Sequence, residues 1–223
     1  MLVPEDLEAA KLTGTAVFGA TLVGVEGNYD RVNRLCAQIA DRYGWGIVNV
    51  NLRAYYGEGS KTVGFEMAEQ LGWTLPGHVV APMAGGSLVT KVETRVPAAR
   101  ALSASWTTAP FSLHGAQPAG CVADRARVQR QVSPQLRPVK PDTIVRSLAI
   151  GDPADGRAAV ADHPPHRRQR RPTRRDPEVL DGIRLLAETE GSSPRPPAGP
   201  SSPAARELAE GGAFADDRAR WCC

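Results

Sequence analysis

The chain has 223 residues, which is enough to bury a core in one or two domains, and its net charge of +3 is nearly balanced. No stretch is long and apolar enough to be expected to span a membrane. The acidic N-terminus lacks the basic start and apolar run of a secretory signal, so we expect a cytoplasmic protein. The four cysteines, at positions 36, 121, 222 and 223, lack the spacing of a zinc site or a disulfide framework.

The composition changes after residue 91. Nineteen of the 23 arginines and 16 of the 19 prolines follow that residue, whereas aromatic residues become rare after residue 110. We therefore expect the first part to fold and the second part to contain disordered Arg/Pro-rich segments.

The first 50 residues predict a strand, a helix and a second strand. Residues 15–25 are apolar and β-branched enough for a strand, and Asn28 is placed to cap the helix that follows. Apolar residues then recur with the helical period from Val32 to Tyr43, and Gly44 closes the helix. Residues 46–50 predict the second strand, which completes a βαβ pattern.

The next segment predicts a polar turn, an amphipathic helix, a buried strand and a glycine-rich loop, in that order. Ser60 is placed to cap the helix and Gly72 to end it, while residues 78–83 are nearly continuously apolar. The loop at the carboxyl end of this strand consists of Ala84, Gly85, Gly86, Ser87 and Leu88. Such a loop can hold a phosphate, because glycine lets the backbone approach closely and the amides of the following helix point at the anion. The alternative interpretation is a tight turn in which glycine merely permits the backbone path.

After Val92 the pattern becomes irregular. Residues 157–175 offer little to bury, and we expect 192–223 to be a disordered tail that begins with a proline-rich run. Between them, Asp176-Pro177 predicts the start of a helix, with a capping acid and a proline in the first turn. One hypothesis is that the Arg/Pro-rich runs are out-of-frame translation of a GC-rich gene. The alternative is that they are genuine disordered insertions.

Several motifs occur together in the first 91 residues: GVEGNYDRVNRL at 24–35, YYGEGSKT at 55–62, Phe65-Glu66, and PMAGGSL at 82–88. With these motifs in this order, the chain resembles threonine synthase, a pyridoxal 5'-phosphate (PLP) enzyme of the fold-type-II group. Shorter stretches with the same resemblance follow at 114–121, 140–156 and 181–191.

The resemblance implies an α/β fold, namely a fragment of a two-domain, open-sheet fold-type-II PLP enzyme. The fragment would be truncated at the N-terminus and disrupted in frame after residue 91. Residues 1–55 would end the smaller domain, residues 56–191 would form the larger, interrupted PLP-phosphate domain, and residues 192–223 would be the tail. In its activity, the family converts O-phosphohomoserine and water to threonine and phosphate.

The resemblance also implies that the loop from Ala84 to Leu88 cradles the PLP phosphate. The family's catalytic lysine lies upstream of the matched segment, so we find no catalytic residue here and expect this chain to be inactive alone. Lys61 is interpreted as a structural lysine, solvated or paired. The family's partner for the pyridine nitrogen lies in a C-terminal Ser/Thr-Gly-rich motif that the end of this chain does not show.

Other functions remain open at the level of sequence. Another fold-type-II PLP lyase, such as a cysteate synthase or a threonine dehydratase relative, would share the phosphate loop. The arginine-rich run at 167–175 could bind a polyanion in a remnant without enzymatic function, although no aromatic residues interleave to stack on bases, so we do not expect a nucleic-acid partner. We expect a small-molecule substrate and no membrane partner. We also expect no metal site at His163 and His166, because the two prolines between them prevent the helical spacing that would bring the imidazoles together. The intact family enzyme is compatible with an oligomer, and the oligomeric state stays open.

Overall fold

The computed structural model describes residues 1–49, 54–73, 76–92, 112–121, 138–153, 155–156, 159, 173–192, 196–212, 214 and 221–222. The chain divides into two compact units, Met1–Arg53 (unit 1) and Ala54–Cys223 (unit 2). Among the described residues, no helix combines the length and the apolar composition needed to cross a bilayer.

Unit 1 is built on two short parallel strands, β1 (Leu2–Pro4) and β2 (Val23–Val25), with Leu2 opposite Val23. Helix α1 (Ala9–Ala16) connects them and α2 (Tyr29–Tyr43) follows. The ends of α2 are as predicted. The Asn28 side chain accepts a hydrogen bond from the Arg31 amide at 3.2 Å, and Gly44 adopts a left-handed conformation with φ 65°. The buried side chains of this unit include Val3, Val32 and Cys36.

The predicted strand over 15–25 is only partly present, because α1 takes residues 15 and 16 and β2 begins at Val23. A short apolar run fits a helix or a strand equally well. Here the helix is favoured by an ion pair between Lys11 and Glu8 one turn apart, at 3.0 Å. The predicted strand over 46–50 also differs, since residues 46–49 are irregular and the Asn49 side chain donates to Asn33 of α2 at 2.8 Å.

Unit 2 contains a parallel sheet in the order β5-β4-β3-β6. The strands are β3 (His78–Pro82), β4 (Ser112–Pro118), β5 (Thr173–Arg174) and β6 (Trp221–Cys222). Strands β3 and β4 form the centre, with His78 opposite Ser112 and Pro82 opposite Ala116. As predicted for a sheet covered on both faces, β3 is buried along most of its length.

Helices cover both faces of this sheet. On one face, Val79, Ala81 and Met83 pack with α4 (Thr62–Gln70) and with α5, whose described residues are 87–92. On the other face, Val80 and Ala116 pack against α7 (Ser201–Glu210). Helix α6 (Asp176–Glu190) packs against α7 through Gly182, where an added Cβ would lie 2.6 Å from Cδ of Pro203.

Three local predictions in unit 2 are corrected by the structure. The segment expected to be a polar turn belongs to α3 (Ala54–Ser60), and the Ser60 hydroxyl donates to the Tyr56 carbonyl at 2.9 Å instead of capping α4. Asp176 begins α6 but does not cap it, because its carboxylate binds residues 143 and 144.

The structure also differs from the predicted disordered tail. Residues 201–210 form α7, whose Ala204 and Leu208 are buried against the sheet. Proline is common in the first turn of a helix, because the amides of that turn have no acceptor within the helix and a missing amide proton costs nothing there. The amphipathic pattern within 201–210 therefore outweighs the composition of the segment before it.

Candidate functional site

The glycine-rich loop lies between β3 and α5, at the carboxyl end of the parallel strands. Gly85 and Gly86 are buried, and Ser87, the first residue of α5, is 9% exposed. Ligands of open parallel sheets bind at this edge. The structure therefore places all five residues of the predicted site, Ala84 to Leu88, in one continuous turn at the expected edge.

Gly86 is required at its position by two separate constraints. Its φ of +89° lies in the left-handed region, which other residues rarely adopt. A Cβ added there would lie 3.0 Å from the Ala159 Cβ and 3.1 Å from the Asp155 carbonyl oxygen. The loop is thus backed directly by Asp155 and Ala159, which leave little room for a side chain at Gly86.

The first turn of α5 presents amide groups that the helix itself cannot satisfy. The Thr90 amide already donates to the Gly86 carbonyl at 3.0 Å, so the three amides before it have no partner within the helix. The Thr90 hydroxyl donates to the carbonyls of Gly86 and Ser87 at 3.0 and 2.9 Å, which holds the turn in shape. Amides at a helix start carry partial positive charge, so this turn can bind an anion.

A second segment supports the loop from behind. The Asp155 amide donates to the Gly85 carbonyl at 3.1 Å. Ala84 packs against the cluster of Val145, Leu148 and Val179, all of which are almost fully buried. The orientation of the loop therefore depends on residues 145–155 as well as on its own sequence.

The lysines near this region are engaged in packing or pairing. Lys61 is 6% exposed, and its ammonium group hydrogen-bonds and pairs with the Glu58 carboxylate. Lys91 packs on α3: a Cβ at Gly57 would lie 2.9 Å from its Cε and 3.5 Å from its Nζ. Both contacts join α3 to the elements that follow it, in keeping with a structural interpretation of Lys61.

Sequence reasoning missed a pair of buried hydroxyl groups at the start of α7. Ser201 and Ser202 are 2% and 7% exposed, and neither hydroxyl has a hydrogen-bond partner within the described part of the chain. A buried hydroxyl without a protein partner costs free energy, and a bound ligand or water offsets that cost. The sequence feature that could have indicated these hydroxyls is the Ser201-Ser202 pair at the start of an amphipathic helix.

The topology places these hydroxyls at the same edge of the sheet as the glycine loop. Phe214, just after α7, contacts the ring of His78 at the amino end of β3, with 4.8 Å between ring centroids. Helix α7 has ten residues and β3 has five, so each is about 15 to 17 Å long. The chain beyond α7 reaches the amino end of β3 at Phe214, and β6 then pairs in parallel with β3 from His78 onward. We infer from this that α7 runs antiparallel to β3, with its first turn toward the carboxyl end of the strand.

His114 lies away from this edge. It is 2% exposed in the middle of the sheet, and its Nε2 is 3.1 Å from Nδ1 of His78, so one ring nitrogen donates to the other. The two rings also stack at 5.4 Å. This pair contributes to packing beneath α7.

His163, His166 and residues 167–172 of the arginine-rich run lie outside the described residues. Within the described residues, no cluster of three or more His, Cys, Asp or Glu could hold a metal ion.

The architecture of the chain matches that of a known protein family. The chain matches the family described as "Pyridoxal-phosphate dependent enzyme" over residues 1–223. The chain belongs to this family. The resemblance, the α/β fold class and the PLP cofactor predicted from the sequence are confirmed. The match runs through residues 92–223, where the sequence shows only short recognisable stretches.

Among curated proteins, the chain is similar to three named threonine synthase. It is 26% identical to that of Methanocaldococcus jannaschii, covering 100% of this chain and 54% of the relative. With that of Methanosarcina acetivorans it shares 24% identity, over 95% of this chain and 51% of the relative. With the threonine synthase of Synechocystis it shares 26% identity, over 86% of this chain and 47% of the relative. The chain thus spans about half the length of the curated relatives it matches.

Among solved structures, the chain resembles an L-serine ammonia-lyase from the fungus Rhizomucor miehei, with a TM-score of 0.72 and 19% identity over 96% of this chain and 64% of that one. The processed form of threonine deaminase isoform 2 from Solanum lycopersicum gives a TM-score of 0.63 at 13% identity, over 90% of this chain and 54% of that one. Identities this low show a shared fold and no more.

The residues present fit the family's cofactor. PLP carries a phosphate and a polar heteroaromatic ring. A glycine turn at a helix start suits the phosphate, and the two buried hydroxyls without partners suit a polar atom of the ring. Both features lie at the carboxyl end of one sheet.

Proposed function

We propose that this chain is the cofactor-phosphate part of a threonine synthase-like lyase, which converts O-phosphohomoserine and water to threonine and phosphate. The observation that carries the proposal is the loop from Ala84 to Leu88, with its left-handed Gly86 and the amides of the first turn of α5 that have no partner within the helix. The three curated relatives named threonine synthase support the choice of substrate.

In this proposal the residues of the chain have distinct tasks. The amides at Gly85, Gly86 and Ser87 and the Ser87 hydroxyl bind the cofactor phosphate, and glycine allows the backbone to approach it. The hydroxyls of Ser201 and Ser202 would hold a polar atom of the cofactor ring. Bound PLP supplies the electron sink for chemistry at the substrate's carbon atoms. The residues named above would fix the position of the cofactor.

This chemistry also needs a lysine at the cofactor, and none of the four lysines is placed for that task. Lys11 and Lys61 pair with glutamates, Lys91 packs on Gly57, and Lys140 is exposed. We therefore expect the purified chain to bind PLP without forming threonine from O-phosphohomoserine. Threonine formation above a buffer control would contradict the expectation of inactivity.

The first experiment compares PLP with pyridoxal, which lacks the phosphate, by equilibrium dialysis against the purified chain. The phosphate contacts are charge-assisted, so we expect PLP to bind at least about 100-fold more tightly than pyridoxal. Equal affinities would refute the assignment of the loop as the phosphate site.

Substrate choice is tested on the PLP-saturated chain by calorimetric titration with O-phosphohomoserine, L-serine and L-threonine. Selective binding of O-phosphohomoserine supports the threonine synthase assignment. Selective binding of L-serine or L-threonine would favour a dehydratase-like lyase instead. Salt-sensitive nucleic-acid binding that is lost on deleting residues 167–175 would favour a polyanion-binding remnant.

A further inference from the structure

The carboxylate of Asp176 binds a distant segment of the chain. One oxygen accepts a hydrogen bond from the Thr143 hydroxyl at 2.6 Å, and the other accepts one from the Ile144 amide at 2.9 Å. The Thr143 hydroxyl in turn accepts from the Val145 amide at 3.1 Å. Both carboxylate oxygens are therefore engaged across more than 30 residues of sequence, although the residue stands at the start of a helix where it could have capped its own first turn.

The segment bound by Asp176 is the one that backs the glycine loop. Val145 and Leu148 are 0% and 5% exposed, and with Val179 they form the surface on which Ala84 packs. Farther along, the Asp155 amide binds the Gly85 carbonyl. We call residues 143–155 the brace, since their described part contacts the loop at both Ala84 and Gly85.

The brace is itself fixed by close backbone contacts at other points. The Asp142 amide donates to the Gly120 carbonyl at 3.1 Å, just beyond the end of β4. The Val139 amide donates to the Gly151 carbonyl at 3.1 Å. The Asp142–Gly120 contact lies just after β4 and the Asp155–Gly85 contact just after β3, so the segment runs along the carboxyl ends of these two strands. Asp176 adds the attachment to α6, on the side where Ala84 packs.

From this arrangement we propose that Asp176 and Thr143 are positioning residues for the phosphate loop. An Ala-Gly-Gly turn has many backbone conformations, and it binds an anion tightly only if its amides are already aimed. The brace supplies that order, and the Asp176–Thr143 hydrogen bond fixes the brace. The inference rests on the proposed phosphate site and adds that the affinity of this site is set by a residue that does not touch the ligand.

A purely structural role for Asp176 predicts a different result from a positioning role. If Asp176 only stabilises α6, its loss lowers the free energy of unfolding and leaves the preference for PLP over pyridoxal unchanged. If it positions the loop, its loss weakens the binding of the phosphate in particular. The ratio of the two dissociation constants, measured well below the unfolding temperature, separates these cases.

The test uses Asp176→Asn, Thr143→Val and Thr143→Ser in the full chain. Asp176→Asn and Thr143→Val each disrupt the carboxylate–hydroxyl contact, and we expect the dissociation constant for PLP to rise about tenfold while that for pyridoxal changes less than about twofold. Thr143→Ser keeps the hydroxyl and is expected to retain the wild-type ratio. Asp181→Asn is the matched control, because Asp181 is exposed on the same helix and pairs locally with Arg184.

The outcomes distinguish this inference from the proposed function. If the wild-type chain prefers PLP but the ratio is unchanged in both Asp176→Asn and Thr143→Val, the inference is wrong and the phosphate site stands. If the wild-type chain shows no preference for PLP, the site and the inference fail together. If Asp176→Asn does not fold, the isosteric Thr143→Val decides between the two roles.

Discussion

At the scale of the residue, Gly86 is the position where sequence, conformation and proposed function meet most closely. Its positive φ and the 3.0 Å approach to the Ala159 Cβ both favour glycine. We expect Gly86→Ala to reduce the free energy of unfolding by about 1–3 kcal/mol and to weaken PLP binding, because the strained residue shifts the loop off its backing. Urea denaturation and equilibrium dialysis measure the two effects.

A matched control for this substitution is Gly59→Ala. Gly59 lies in α3, and a Cβ there meets nothing within 4 Å. Alanine favours a helix over glycine, so this variant is expected to be unchanged or more stable by up to about 1 kcal/mol, with wild-type PLP binding. If Gly86→Ala behaved like Gly59→Ala, the loop would have room to adjust and the close backing would be irrelevant.

The hydroxyls of Ser201 and Ser202 lead to an unusual expectation about stability. A buried hydroxyl without a protein partner lowers the stability of the folded chain, and a ligand that hydrogen-bonds to it removes that cost. Ser201→Ala and Ser202→Ala should therefore leave the melting temperature of the ligand-free chain unchanged or raise it by about 2–4 °C. The same variants should weaken PLP and pyridoxal alike, since the ring is common to both.

Thermal unfolding and dialysis of these serine variants test that expectation. Ser192→Ala is the control, because Ser192 is exposed after the end of α6. A lower melting temperature for both variants, with PLP binding intact, would mean that the hydroxyls serve the fold and not the cofactor.

At the scale of the element, what the sequence predicts well are features encoded locally. The ends of α2 follow from the side chain of Asn28 and the freedom of Gly44, both of which act within one turn. Strand β3 and the glycine loop follow from a continuous apolar run ending in Gly85-Gly86. Such signals need no knowledge of the rest of the chain, so they can be predicted from the residues alone.

The features that sequence reasoning missed depend on distant partners. A capping acid was the natural prediction for Asp176, yet its carboxylate is used by Thr143 and Ile144, more than 30 residues away. Helix α7 was hidden by the proline-rich run before it. The burial of Ala204 against Val80 and Ala116 exists only once β3 and β4 are paired. Tertiary contacts therefore decide these cases.

At the scale of the whole molecule, the two units differ greatly in what they bury. Within its described residues, unit 2 has three buried clusters, on both faces of its sheet and behind the loop. Unit 1 has a two-stranded sheet, and Phe18 and Val48 are 87% and 93% exposed. A sheet of two strands is marginal by itself, and a unit of 53 residues buries a smaller fraction of its surface than a larger domain does.

This contrast predicts that the chain does not unfold as one cooperative body. Local stability follows the amount of apolar surface buried, so amides in β1, β2 and α2 should exchange with solvent at least about tenfold faster than those in β3 and β4. Hydrogen exchange followed by mass spectrometry resolves the two regions in one experiment.

Addition of PLP should then slow exchange at residues 84–92 and leave residues 1–49 unaffected, because the proposed phosphate contacts belong to unit 2. Uniform protection along both regions would contradict the division in stability, and protection by PLP confined to unit 1 would move the cofactor site away from the glycine loop.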